Sequence, residues 1–116
     1  MKEPEYLLPL KPDVFLILTI VARCEQYGYG IMLEAERVTE GKVRLQPGAL
    51  YRRLRWMLDE GLLEELAERP VPETGVDERR RYYGVTTLGR QVARAEAARM
   101  RGLLNAAEGA GVLEGK

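Results

Sequence analysis

Leu45-Gln46-Pro47-Gly48-Ala49-Leu50-Tyr51-Arg52-Arg53-Leu54-Arg55-Trp56-Met57-Leu58-Asp59-Glu60-Gly61 is the stretch that decides the fold. Proline is favoured at the first position of a helix and glycine just past its end, so these residues predict a helix from Pro47 to Glu60 stopped by Gly61. At about 100° per residue, Leu50, Leu54 and Met57 share one side, and Gly48, Ala49, Arg52, Arg55 and Trp56 lie on or near the other. The apolar side faces a core and the arginine side faces out. Lys42 to Trp56 holds five bases and no acid, whereas Asp59 to Glu78 holds eight acids and one base, so a net charge of zero hides a local basic surface. Arginine grips guanine edges and neutralises phosphate, and the small Gly48 and Ala49 allow close approach of the helix start, where Gln46 can add a contact. The plainer reading of Arg52, Arg53 and Arg55 is a solvated helix face.

Outward from this helix, Lys42 to Gln46 alternates Val43 and Leu45 with polar residues, which predicts a short strand or an extended link. Before it, Ile31, Ala35 and Val38 recur at helical spacing and predict a second helix ending near Gly41, behind a break at Tyr27-Gly28-Tyr29-Gly30. Asp13 is a candidate N-cap for a first helix reaching about Gln26. That helix is apolar on nearly every side, so it is either buried all round or turned partly toward a partner. Lys2 to Pro12, with three prolines, reads as an irregular arm, and order is expected to begin at Asp13. After Gly61, Leu62 to Glu68 reads as a strand, Glu68 to Glu78 as a loop, and Arg79 to Thr86 as the returning strand. Thr87 then caps a last helix from Leu88 to about Ala107. The expected architecture is mainly α with a small β-hairpin: a winged helix-turn-helix plus a C-terminal dimerisation helix. The expected divisions are an arm (1–12), the winged unit (13–86), the dimerisation helix (87–108) and a frayed tail (109–116).

Composition narrows the chemistry. The 116 residues make one domain and contain neither histidine nor serine. Ser-His hydrolysis, Cys-His nucleophiles and His-ligated zinc are thereby excluded, and the acids gather on a solvated wing surface. The chain therefore reads as a non-enzyme with no cofactor and no metal site. Its lone Cys24 permits no internal disulfide, and the apolar run from Val14 to Ala22 is too short to span a bilayer. No signal peptide is recognisable, so the expected location is cytoplasmic, with no membrane partner.

Four segments occur in order: Tyr27-Gly28-Tyr29-Gly30-Ile31, Leu45 to Leu54, Glu60-Gly61-Leu62-Leu63, and Arg79-Arg80-Arg81-Tyr82-Tyr83-Gly84-Val85-Thr86-Thr87-Leu88-Gly89. With them the chain resembles the PadR family of bacterial transcriptional regulators from about Leu10 to Arg94. The resemblance implies a homodimer of winged helix-turn-helix subunits on a pseudo-palindromic double-stranded DNA operator, usually as a repressor released by a small molecule. It also implies Tyr51 and Arg52 as DNA contacts, and the single C-terminal helix resembles the short subfamily. Phosphate contacts are expected from Tyr51, Arg53 and the wing cluster Arg79, Arg80 and Arg81, and base contacts from Arg52 or Arg55. The three wing arginines have an alternative use in pairing with the acidic loop before them. Trp56 and Leu58 depart from the family pattern. Leu58 reads as extra core, while Trp56 packs under the last helix, lines an effector pocket or reaches DNA.

Along the last helix Ala93, Ala97, Met100, Leu104 and Ala107 form a heptad-like stripe. It is thin enough to need the first helix, through Phe15, to complete a dimer interface. The alternative is that the stripe packs on its own subunit, as Leu88 and Val92 are expected to do. Tyr6, Phe15, Trp56 and Met100 are the residue types that suit a small-molecule effector pocket. A second functional class, a small-molecule sensor or protein-interaction module without DNA reading, fits the same fold.

Overall fold

The most apolar stretch of the sequence becomes the central helix of the computed structural model, which describes residues 3–70 and 79–113, with the side chains of Pro70 and Arg79 outside that description. This helix, α1 (Pro12–Arg23), buries Val14, Ile17, Leu18, Ile20 and Val21. Each such side chain contributes about 1.5–3 kcal/mol when fully buried. It lies against α2 (Gly28–Val38), α4 (Thr87–Gly109) and the strand β3 (Arg79–Val85). Between α2 and α4 come α3 (Pro47–Asp59) and β2 (Leu63–Pro70), and a two-residue strand β1 (Gln26–Tyr27) precedes α2. The expected winged architecture is present, with a third strand added to the hairpin. β3 is central in the order β1-β3-β2 and antiparallel to both neighbours. Its Tyr83 stands opposite Gln26 on one side and Glu65 on the other, and an irregularity between Glu65 and Glu68 shifts the register beyond it.

Several boundaries differ from the sequence expectations. Pro12 rather than a capped Asp13 opens α1, because proline's fixed φ suits the first helical position; Lys11 precedes it without a side-chain cap. The Asp13 carboxylate is directed to Arg53 instead, 2.8 Å away. Order begins before Asp13: Pro4–Leu7 forms a 3-10 turn against α4, and Leu10 joins the core at 7% exposure. The prolines forbid a long helix in this arm, yet its leucines still have apolar surface to bury. Lys42 to Gln46 is an extended link and forms no strand, although Val43 and Leu45 pack inward. Thr86, one position earlier than expected, caps α4 by accepting the Gly89 N–H at 2.9 Å. Gly109 lies within α4, and the Val112 N–H bonds the Ala107 carbonyl at 2.9 Å to close its end; residues 114–116 lie outside the described part.

Two glycines position α3 relative to the rest. Gly61 has φ +80°, a left-handed conformation that stops α3, and the Leu62 N–H returns to the Met57 carbonyl at 2.9 Å. At Gly89 a β-carbon would come within 2.2 Å of the Leu62 carbonyl oxygen, so only glycine lets α4 start this close to the wing. No helix among the described residues is long and apolar enough to cross a membrane.

Candidate nucleic-acid interface

α3 is anchored by Leu50, Leu54 and Met57, all buried, and presents two different flanks around that stripe. Toward the wing it exposes Tyr51 and Arg55, with Arg52 on the outermost line. Among the described residues neither Arg52 nor Arg55 has an ion-pair partner. Gln46 and Gly48 are exposed, Ala49 is half-buried, and no acid or side-chain cap occupies the first turn of α3. The free N–H groups there add partial positive charge to the arginine surface. β3 extends it with the exposed Arg80 and Arg81. Arg81 is shared with Glu65 of β2 at 3.3 Å, in an exposed pair worth little in water. The side chain of Arg79 and the acidic loop at 71–78 lie outside the described residues, so the alternative pairing of the wing arginines with that loop does too.

Toward the N-terminal arm, the other flank is committed to its own chain. Arg53 donates from Nε to Asp13 at 2.8 Å and does not join Arg52 and Arg55, although the sequence groups all three. Trp56, 37% exposed, lines a cleft of about 360 Å³ with Leu7, Pro9, Leu10, Val14 and Arg53. Tyr6 donates its hydroxyl to Glu60 just past α3. Phe15 and Met100 line a separate groove with Ala97 and Leu104, so the four residues considered for an effector pocket do not meet in one place.

α4 divides along its length. Leu88, Val92 and Ala93 pack against the core of their own chain, as does Glu96 at 2% exposure. Arg99 donates to both Glu96 oxygens at 2.8 and 2.9 Å, and that charge, with the Leu10 backbone N–H, holds the carboxyl below its ordinary value of 4.5 against the opposing effect of burial. Beyond Glu96, Ala97, Leu103 and Leu104 are exposed while Met100 and Ala107 are half-buried. Ala97, Met100 and Leu104 line, with Phe15, a groove of about 370 Å³ along α1 and α4 that also carries Arg101, Asn105 and Glu108.

Two residues beside the arginine surface do not stand out in the sequence. Tyr29, in the segment read as a helix break, is exposed at the start of α2 and shares a cleft with Tyr51, Arg80 and Arg81. Tyr83, read as a strand aromatic, lines the same cleft. The alternation of tyrosine and glycine from Tyr27 to Gly30 was the available signal for the first. At Gly28 a β-carbon would fall 2.4 Å from the Tyr51 hydroxyl, so this glycine lets Tyr51 lie across the start of α2.

A model of the transcriptional regulator PadR-like family matches residues 17–95. No curated protein matches the chain in sequence. Among solved structures, a PadR family transcription regulator from Clostridium difficile R20291 shares 24% identity over 84% of this chain and 96% of its own, with a TM-score of 0.68. A PadR-like transcriptional regulator from Bacillus cereus shares 22% over 89% and 92%, with a TM-score of 0.66. Bacillus subtilis PadR, solved in complex with operator DNA, shares 21% over 71% of this chain and 44% of its own, with a TM-score of 0.56. At these identities the structures establish a common fold.

Proposed function

The chain belongs to the PadR-like family of transcriptional regulators, whose members are not enzymes, and from that premise we propose that it is a sequence-specific DNA-binding repressor acting as a homodimer. The observation that carries the reading is the pair Arg52 and Arg55, exposed without an acidic partner among the described residues on the outer side of a helix whose other side is anchored. α3 enters a major groove, Arg52 or Arg55 reaches base edges, and Tyr51, Gln46, Arg80 and Arg81 take phosphates. The operator complex of Bacillus subtilis PadR supports this assignment by fold. Repression by occupancy requires no surface beyond the DNA contacts.

The open apolar half of α4 supports the dimer. We assign residues 13–86 to DNA reading and 87–108 to dimerisation, with Phe15 completing the seam. A two-fold axis there sets two reading helices on successive major grooves about 34 Å apart, hence a pseudo-palindromic site. Binding of the purified protein to its own upstream intergenic DNA, against a scrambled duplex at two salt concentrations, tests the reading. Selective binding that weakens steeply with salt is expected. Equal or absent binding on both duplexes replaces it with a sensor or interaction module.

Release by a small molecule belongs to the same reading, and the cleft beside Trp56 supports it because it touches both the arm and the reading helix. Trp56 is the sole tryptophan of the chain, so its fluorescence reports occupancy directly. A compound that changes this emission and lowers operator affinity together identifies the effector; release without any change in emission moves the site elsewhere.

A further inference from the structure

The N-terminal arm meets α3 at one place and α4 at another, and base reading by α3 makes no use of it. Tyr6, on the 3-10 turn Pro4–Leu7, donates its hydroxyl to the carboxylate of Glu60, the residue that caps the end of α3. A carboxylate there faces the negative end of the helix dipole, so a donor from outside the helix is favourable. The turn itself packs on α4, and further along the arm the Leu10 N–H is held by Glu96. Glu96 is 2% exposed and is the last buried residue of α4, with Arg99 donating two hydrogen bonds to it. Burying a carboxylate is costly, and an apolar side chain would fill the same place without that cost. What the carboxylate adds is a directional hold on the backbone of the arm.

α3 rests on α2 and β2, and α4 on α1 and β3, so neither helix lies broadly on the other. They are joined at the start of α4, where Thr86 donates its hydroxyl to the Gly61 and Leu62 carbonyls and its N–H to the Leu62 carbonyl. Glu96 lies about 15 Å further along α4 at 1.5 Å per residue. A joint at one end lets a helix tilt, and a second attachment at that distance opposes the tilt. Between its two fastenings the arm does not pack flat on α3: Leu7, Pro9 and Leu10 share with Trp56 the lining of the 360 Å³ cleft. The arm therefore crosses this gap as a strut.

We propose that the arm is a brace that sets the tilt of α3 relative to α4, with Tyr6 and Glu60 as positioning residues at one fastening and Glu96 at the other. The brace rests on the homodimer reading: where α4 pairs two subunits, the tilt of α3 on α4 fixes the separation of the two reading helices and hence the half-site spacing that the dimer accepts. Tyr6 and Glu60 thus act on operator choice without touching DNA. An occupant of the Trp56 cleft bears on the arm and on α3 together, so it releases the operator by shifting the brace rather than by competing for the DNA surface.

The test compares Tyr6→Phe, Glu60→Gln and the double variant in the full-length protein. Each is titrated with the operator, with a single half-site, and with operators that have one base pair added or removed between the half-sites. Each single variant should bind the operator about fivefold more weakly, the scale of one solvent-exposed hydrogen bond. Each should bind the single half-site as tightly as the wild type does, and should lose less affinity than the wild type when the spacing is altered. The double variant should be no weaker than either single one, because both substitutions remove the same contact. Equal weakening on operator and half-site, which a mere loss of folded protein also produces, overturns the brace. Wild-type affinity with an unchanged spacing penalty overturns it too, as does a double variant whose loss is the product of the single losses. A wild type that binds the operator no better than a single half-site overturns the homodimer reading, and the brace with it.

Discussion

The two flanks of α3 carry the same residue type to opposite ends. Facing the wing, Arg55 is exposed without an acidic partner among the described residues, and Arg52 is alike on the outer line. Facing the arm, Arg53 is tied to Asp13 beside the half-exposed Trp56. Nothing in the chemistry of the three arginines distinguishes them. What differs is the neighbour: β3 and the start of α2 on one side bring tyrosines and more arginines, whereas α1 and the arm on the other bring a carboxylate and leucines. One flank is therefore available to an external anion and the other links α3 to the rest of its own chain.

Removing what holds the two flanks together should have the largest effect. Leu54, between them, is buried, and Leu54→Ala should cost about 2–5 kcal/mol of stability in a denaturant titration. DNA binding should fall with it, and a loss below about 1 kcal/mol would show that α3 is not anchored by this stripe. Next come the free arginines: Arg52→Ala or Arg55→Ala should cost about 1–3 kcal/mol of operator affinity with an unchanged melting temperature. The base-reading member should also lose discrimination against a scrambled duplex, and equal weakening on both duplexes assigns the residue to phosphate.

Arg53→Ala should invert that pattern. Operator affinity stays within about twofold, while stability drops by about 1 kcal/mol or less, because the pair is partly solvated. A tenfold loss of DNA binding with unchanged stability would erase the distinction between the flanks. The smallest effect is expected at the far end of the arm, where Glu96 holds the Leu10 N–H. Its carboxyl is depressed in the folded state, so its contribution is fully present above the unfolded value near 4.5 and is lost as pH falls through the lower folded value. Melting temperatures measured from neutral pH into this acid range should fall less steeply for Glu96→Gln than for the wild type; parallel curves would remove Glu96 from the arm's support.

Much of this organisation is legible in the sequence. The bracket of Pro47 and Gly61 and the spacing of Leu50, Leu54 and Met57 place α3 and its buried side correctly, because helix ends and helical periodicity are local properties. The strand β1 was not legible, since two residues are too few to show alternation and their pairing partners lie more than fifty residues downstream. For the same reason Tyr27 to Gly30 read as a break rather than as the meeting of a strand, a helix start and a cleft. The order of the arm was missed because prolines signal the absence of a helix and carry no information about what the leucines between them will cover.

Which segments are helical, which faces are apolar and where basic charge gathers are all readable from neighbouring residues along the chain. This is so because backbone propensity and side-chain periodicity act over a few neighbouring residues. Long-range packing sets which arginine of α3 lacks an acidic partner among the described residues, which cleft Trp56 lines, and that Tyr29, Tyr51 and Tyr83 share one cleft with Arg80 and Arg81. Those outcomes depend on what packs beside each flank, and packing joins residues whose separation along the chain leaves no periodic trace.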